Sequence, residues 1–252
     1  MDSKQQQYRQ LVSKRKECFK CSEYNYVNQS QTDFDTCEIG NWSTWANNLN
    51  ADVVIIGQDY ADTKTFARDL GKIETNKLNN ESLPKDYSTL TNYNLRELSK
   101  IIGYDIGLPI ETSIENIFLT NAVLCLKRGS MNSSINNKVV ENCSESFLYP
   151  LLNIISPKVI ISLGAVATKA TILAYKDRIE NSKKLIQDIF SKIFNESPIK
   201  ISNTEMLIYP VYHPGRLGQI NRKRIDNEKR NGFELQKKDW CVISNFLNSN
   251  NK

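Results

Sequence analysis

Four short, continuous apolar runs constrain the fold of this chain more than any other feature of its sequence. Each run is rich in β-branched residues, and together they cover residues 52–57, 116–120, 158–163 and 206–211. Apolar runs without polar alternation are typical of strands that are covered on both faces, as in parallel sheets. Between these runs lie segments in which the apolar residues have helical spacing. We therefore predict an α/β three-layer sandwich, with a central four-stranded, mainly parallel sheet flanked by helices.

The rest of the chain supplies the helices and loops of this sandwich. Helical spacing is found over residues 94–103, 139–155, 165–174, 183–194 and 233–247. Two segments rich in Asn, Ser, Thr and Lys, 61–93 and 126–138, predict long loops. A length of 252 residues suits one sizeable core. We expect a single domain over residues 1–252, with an N-terminal Cys-x-x-Cys segment and a basic C-terminal helical tail.

Composition places the chain among ordinary globular proteins. Hydrophobic residues make up 40% and charged residues 24%. No apolar run approaches the roughly 18 residues of a membrane span, and the first residues lack the apolar core of a secretory signal. We expect a cytoplasmic monomer that has no contact with membranes.

Basic residues are concentrated near the C-terminus, although the net charge of the whole chain is only +5. Between Pro214 and Lys238 the basic residues outnumber the acidic ones; they are Arg216, Arg222, Lys223, Arg224, Lys229, Arg230, Lys237 and Lys238. Such a segment can neutralise the phosphates of a nucleic acid. A solvated charged surface is the other interpretation.

The most unusual residues of the chain follow the four predicted strands. They are the loop Gly57-Gln58-Asp59-Tyr60 after the first strand, Asn121 after the second, Gly164 after the third, and the only histidine, His213, after the fourth. In open α/β sheets ligands bind beyond the carboxyl ends of the strands, so these loops should converge. Taken singly, Asp59 is compatible with a helix cap and Asn121 with a partner for buried backbone groups.

Six cysteines without a secretory signal argue against a disulfide framework. Cys18 and Cys21 form a Cys-x-x-Cys pair, and Cys125 and Cys143 flank one predicted loop. Four thiolates suit zinc or an iron–sulfur cluster, while buried apolar packing is the alternative for each cysteine.

These motifs resemble those of the uracil-DNA glycosylases, above all the branch that carries a four-iron, four-sulfur cluster. The most specific likeness is Leu119-Thr-Asn-Ala-Val-Leu-Cys125, followed by Cys143 and then Ser156-Pro-Lys-Val-Ile-Ile-Ser-Leu-Gly-Ala165. Tyr212-His-Pro214 is similar to the second catalytic motif of the superfamily, and the likeness extends from about Cys18 to about Leu217.

The first motif departs from the cluster-bearing branch. That branch has Gly-Glu-Ala-Pro-Gly, whereas Gly57-Gln-Asp-Tyr60 is nearer to the Gly-Gln-Asp-Pro-Tyr of the cluster-free enzymes, with the proline missing. The following segment is also long. These departures affect the shape of the base pocket more than the fold.

The resemblance implies a role for each candidate residue. Asp59 and His213 would be catalytic; Gly57, Gln58, Tyr60 and Asn121 would bind the base, with Tyr87 as an alternative to Tyr60. DNA would be contacted by Gly164, Arg216, Leu217, Arg222, Lys223 and Arg224. A structural [4Fe-4S] cluster, with zinc as the alternative, would be held by Cys18, Cys21, Cys125 and Cys143, whereas Cys37 and Cys241 match nothing in the family.

The implied activity is hydrolysis of the bond between uracil and deoxyribose in DNA, as in base excision repair. Two alternatives stay open. The chain could remove another modified pyrimidine, for example in defence against phage, or it could be a catalytically weak nucleic-acid-binding protein of the same fold.

Overall fold

The computed structural model describes residues 3–33, 35, 38–39, 48–65, 90–106, 116–130, 133–189, 197–225 and 231–249. The helices of these ranges are α1 (Ser3–Lys16), α2 (Leu90–Ile101), α3 (Asn137–Cys143), α4 (Tyr149–Ile155), α5 (Gly164–Ala174), α6 (Ser182–Gln187), α7 (Arg216–Ile225) and α8 (Gly232–Ser249). The strands are β1 (Tyr26–Val27), β2 (Val53–Gly57), β3 (Ile117–Asn121), β4 (Leu126–Lys127), β5 (Val159–Leu163), β6 (Ile199–Lys200) and β7 (Leu207–Val211).

The central sheet has the order β3-β2-β5-β7-β6. Strands β3, β2, β5 and β7 are parallel, which confirms the predicted α/β fold and its mainly parallel sheet. The predicted number of four strands is too low, because β6 pairs antiparallel with β7 at the edge. This fifth strand consists of Ile199 and Lys200 only, and so short a segment carries no periodic signal.

Both faces of the sheet are covered, which gives three layers. Val54 and Ile56 of β2 pack in a core cluster with residues of α1, α3, α4 and α5. Val53 and Ile55, which point the other way, pack in a second cluster with residues of α2 and α8. Continuous apolar strands are therefore needed to supply two cores at once.

A small antiparallel ribbon lies outside the central sheet. It pairs β1 with β4, with Tyr26 opposite Lys127 and Val27 opposite Leu126. The prediction of a loop over residues 126–138 is therefore wrong at its start, where β4 lies, and at its end, where α3 begins.

Helix boundaries differ from the predictions in several places. The predicted helix 139–155 is α3 and α4 joined by a π-helical segment, Ser144–Leu148, and the basic tail contains α7 as well as α8. The predicted helix 183–194 begins as α6, but residues 190–196 lie outside the described ranges, as do residues 66–89 of the predicted loop 61–93. No helix within the described ranges is long and apolar enough to cross a membrane.

Candidate active site

The carboxyl ends of β2 and β3 bring the first two candidate motifs into contact. Gly57 at the end of β2 is the register partner of Asn121 at the end of β3. A Cβ atom on Gly57 would overlap Oδ1 of the Asn121 side chain. Gly57 therefore lets the Asn121 amide lie directly across the end of the neighbouring strand, and a larger residue would displace it.

The ends of β5 and β7 bring the other two motifs together. Gly164 begins α5 with a φ of +85°, a conformation that favours glycine, and a Cβ atom there would lie 3.5 Å from Cβ of His213. The convergence expected from the sequence is thus found: the four strand ends carry Asp59, Asn121, Gly164 and His213 at one edge of the sheet.

The imidazole of His213 is oriented by its own loop. The backbone N–H of Gly215 donates a hydrogen bond to Nδ1 of His213 at 3.1 Å. Since Nδ1 accepts, the proton of the neutral ring is on Nε2. Burial lowers the pKa of His213 below its ordinary value of 6.5, and the carboxylate of Asp59 opposes this effect. At neutral pH the ring is therefore an uncharged donor through Nε2.

Two buried amides fix the backbone of this loop. The side chain of Asn94 in α2 donates to the carbonyl oxygen of Pro214 at 2.7 Å. The side chain of Gln236 in α8 donates to the carbonyl oxygen of His213 at 2.8 Å. Sequence reasoning missed both residues, although a polar amide on the buried face of an amphipathic helix is a signal for such a role.

The carboxylate of Asp59 is held at both oxygens. The backbone N–H of Ala61 donates to Oδ1 at 3.0 Å. Nζ of Lys127 in β4 lies 2.9 Å from Oδ2, in an ion pair whose side chains are 3% (Lys127) and 10% (Asp59) exposed. Sequence reasoning missed Lys127 as well. The sequence feature that could have identified it is the position of a charged residue directly after the apolar run 122–126, which is buried.

The ring of Tyr60 lies in the core instead of on an open pocket wall. It is 7% exposed, and its hydroxyl lies beside the side chains of Asn121 and Gln29. Burial raises the pKa of Tyr60. This position leaves little ring surface for stacking, and it makes Tyr60 a support for the Asn121 amide. Gln58 is exposed beside Asp59, and Tyr87 lies outside the described ranges.

Helix α7 follows His213 directly and presents the candidate DNA-contacting side chains. Leu217 is 71% exposed, and Arg216, Lys223 and Arg224 are also exposed. Arg222 differs from them, because its guanidinium donates to both carboxylate oxygens of Asp239 at 2.8 and 2.9 Å. That pair joins α7 to α8. The guanidinium of Arg222 is therefore bound by a carboxylate of the protein and is less accessible to a phosphate.

Three of the four candidate ligand cysteines contact one another. The thiols of Cys21, Cys125 and Cys143 lie close enough to one another to interact, and Asn142 donates to Sγ of Cys21 at 3.8 Å. Hydrogen bonds from Cys125 and then Cys143 lower the pKa of Cys21 to about 3, whereas Cys143 and Cys21 together raise that of Cys125.

Cys18 and Cys241 are less buried than these three cysteines. Cys18 is half-buried at the border of the same core cluster, Cys241 is exposed on α8, and Cys37 lies outside the described ranges. Among the described residues, no group of three or more His, Cys, Asp or Glu side chains has the arrangement of a formed metal site.

Residues 45–237, more than half of the chain, match the family model of the Uracil DNA glycosylase superfamily. The matched range contains Asp59, Asn121, Gly164 and His213 and begins after Cys18 and Cys21. No curated protein matches the chain.

The protonation state of His213 can be measured without interference, because it is the only histidine of the chain. In ¹H–¹⁵N NMR spectra of the folded protein at pH 7 we expect a neutral ring protonated at Nε2, with a pKa below that of the same histidine in denaturant. The native state then binds this proton less readily than the unfolded state. Native stability should consequently fall, relative to a His213→Asn variant, as the pH drops below 6.5.

A pKa of His213 at or above the denatured value, or a proton on Nδ1 in the neutral ring, would contradict this description of the loop.

Proposed function

The chain belongs to the uracil-DNA glycosylase superfamily, and from this we propose that it is a DNA glycosylase that hydrolyses the bond between uracil and deoxyribose. The observation that carries the proposal is the meeting of Asp59, Asn121 and His213 at the carboxyl edge of the sheet. Each of these side chains offers one of the three interactions that the reaction needs.

Cleavage of an N-glycosidic bond develops positive charge on the sugar and negative charge on the departing base. The carboxylate of Asp59 stabilises the cationic sugar and orients the attacking water. Oδ1 accepts a hydrogen bond from the N–H of Ala61, and Oδ2 accepts from Lys127 and, at 3.5 Å, from Gln58. An acceptor site therefore stays available on Oδ1 for a water molecule. A group held in place beforehand does not have to reorganise during the reaction.

His213 acts on the departing base. Because Nδ1 is occupied by the N–H of Gly215, the available hydrogen-bond donor is Nε2–H. This donor is directed at a carbonyl oxygen of the base as negative charge develops there, and such a bond gains strength in a pocket without water. A neutral imidazole suits this role, since it donates without giving up a proton.

Asn121 selects the base. Its amide carries both a donor and an acceptor and can pair with the imide edge of uracil, whereas the corresponding edge of cytosine has a different pattern. The Tyr60 hydroxyl beside it supports the amide in this position. Gly57 provides the space in which the amide lies.

The target base must leave the helix to reach this edge of the sheet. Leu217 is suited to fill the vacated position in the base stack, because it is exposed and lies four residues after His213. Arg216, Lys223 and Arg224 on the same helix contact phosphates, and the N-terminal turn of α5 at Gly164 offers backbone N–H groups to another phosphate.

The decisive assay is excision of uracil from single- and double-stranded oligonucleotides, detected by alkaline cleavage of the abasic site. We expect product with the parent protein and a loss of roughly 10²–10³-fold in rate for Asp59→Asn or His213→Asn, with DNA affinity retained. Asp52→Asn is the matched control, because Asp52 lies just before β2, at its opposite end.

A panel of other pyrimidines in the same assay separates the alternatives. Excision of a modified pyrimidine with uracil left intact would show that the modified base, and not uracil, is the substrate. DNA binding without product from any base would contradict the proposal and favour a binding protein.

We further propose that Cys18, Cys21, Cys125 and Cys143 hold a [4Fe-4S] cluster. The contact between three thiols and the presence of Cys18 three residues before Cys21 support a four-thiolate donor set, which fits an iron–sulfur cluster or zinc. Such a group would supply a structural crosslink between the N-terminal segment, β4 and α3. Hydrolysis requires no redox change.

Anaerobic purification tests the cluster. We expect a brown protein with broad absorption near roughly 400 nm, four irons per chain, and a loss of both the colour and thermal stability in Cys125→Ser. Cys241→Ser, a change at an exposed cysteine, serves as the control. A colourless preparation that contains zinc would contradict the cluster.

A further inference from the structure

The ion pair between Lys127 and Asp59 has no counterpart in the motifs from which the site was predicted. Its atoms are 2.9 Å apart, and both side chains are nearly buried. We propose that Lys127 is a positioning residue, which holds the Asp59 carboxylate in the orientation that the reaction needs. This inference rests on the proposed function.

The contacts of Lys127 and Ala61 restrain the carboxylate in two directions. Lys127 binds Oδ2 and the N–H of Ala61 binds Oδ1. Nζ of Lys127 also donates to the carbonyl oxygen of Ser133 at 3.0 Å, so the ammonium group is itself fixed. Rotation of the Asp59 side chain would break its contacts with Lys127 and Ala61 at once.

The backbone of Lys127 supports the same turn. Its N–H donates to the carbonyl oxygen of Ala61 at 3.2 Å. Ala61 has a φ of 70°, which non-glycine residues adopt where the surroundings enforce it. Lys127 therefore holds the 59–61 turn through its main chain and the reactive carboxylate through its side chain.

Charge gives a second reason for a lysine at this position. A carboxylate that is 10% exposed requires an opposite charge nearby, since an unpaired buried charge is costly. The surface pair of Lys158 with Asp52 illustrates the contrast. Those side chains are 48% and 42% exposed at 3.4 Å, where solvent screens their interaction.

Four proteins test the proposal: the parent, Lys127→Met, Asp59→Asn and the double variant. Single-turnover excision of the base that the parent removes is measured together with the dissociation constant for uncleaved DNA. We expect Lys127→Met to slow excision by roughly 100-fold with little change in DNA affinity, because misplacement of a reacting group mainly affects the chemical step. In the Asp59→Asn background the same change should cause no further loss.

Lys127→Arg is the conservative variant, and we expect it to restore most of the rate. A cavity of about 310 Å³ borders Lys127 and provides room for the larger guanidinium group; it is lined also by Tyr24, Asn25, Tyr26, Gly129, Ser133, Ser134 and Asn136. Lys158→Met removes a lysine from the exposed pair and should excise at the parent rate.

Three results would overturn the proposal. The first is excision by Lys127→Met at the parent rate. The second is an equal loss of excision rate from Lys127→Met in the parent and in the Asp59→Asn background. The third is a change of DNA affinity with no change of excision rate. If Lys127→Met does not fold, Lys127→Gln replaces it, and equal rates for the Gln and Arg variants would likewise contradict a role for the charge.

Failure of the proposed function gives a different result. A parent protein that excises no base from the panel refutes the glycosylase assignment. Thermal unfolding of the same four proteins then tests the ion pair by itself. Non-additive shifts of the unfolding midpoint support the restraint of Asp59 by Lys127, and additive shifts overturn it.

Discussion

The parallel register of β2 with β3 and β5, and of β5 with β7, is the constraint on which the site depends. Parallel hydrogen bonding aligns the carboxyl ends of all four strands, so residues far apart in sequence come to one edge. The alignment is close enough that Gly57 and Asn121 are register partners, and a Cβ atom on Gly164 would lie 3.5 Å from Cβ of His213. A strand shifted by one residue would turn its apolar side chains toward the wrong core and separate these groups.

The second organising element is the short ribbon of β1 and β4, which connects two chemically distinct parts of the molecule. Cys125 immediately precedes β4 and contacts the thiols of Cys21 and Cys143. Two residues later, Lys127 contacts Asp59. Any group that the thiols bind is therefore only two residues along the chain from the lysine that contacts Asp59. A crosslink of the kind proposed at the cysteines would therefore restrain Lys127 and, through it, the position of Asp59.

The strands and their converging ends could be predicted from the sequence, because continuous apolar runs and the residues after them are local signals. The two-residue strand β6 could not, since it has no periodicity of its own. The Lys127–Asp59 pair joins residues that lie in separate segments, and charge alone does not identify such a partner. Arg222 was predicted to contact DNA because it lies in a basic segment, yet its match with Asp239 depends on how α7 packs against α8. Tyr60 was predicted to bound the base, and its burial follows from the path of the chain after β2.

Whether this edge of the sheet binds a flipped-out base can be seen in a crystal structure with DNA that contains a non-hydrolysable 2′-fluoro analogue of deoxyuridine. We expect the base edge to pair with the Asn121 amide, a base carbonyl oxygen to lie about 2.7–3.1 Å from Nε2 of His213, and Leu217 to lie within the base stack. DNA bound at another surface, or an extruded base that contacts neither Asn121 nor His213, would contradict this expectation.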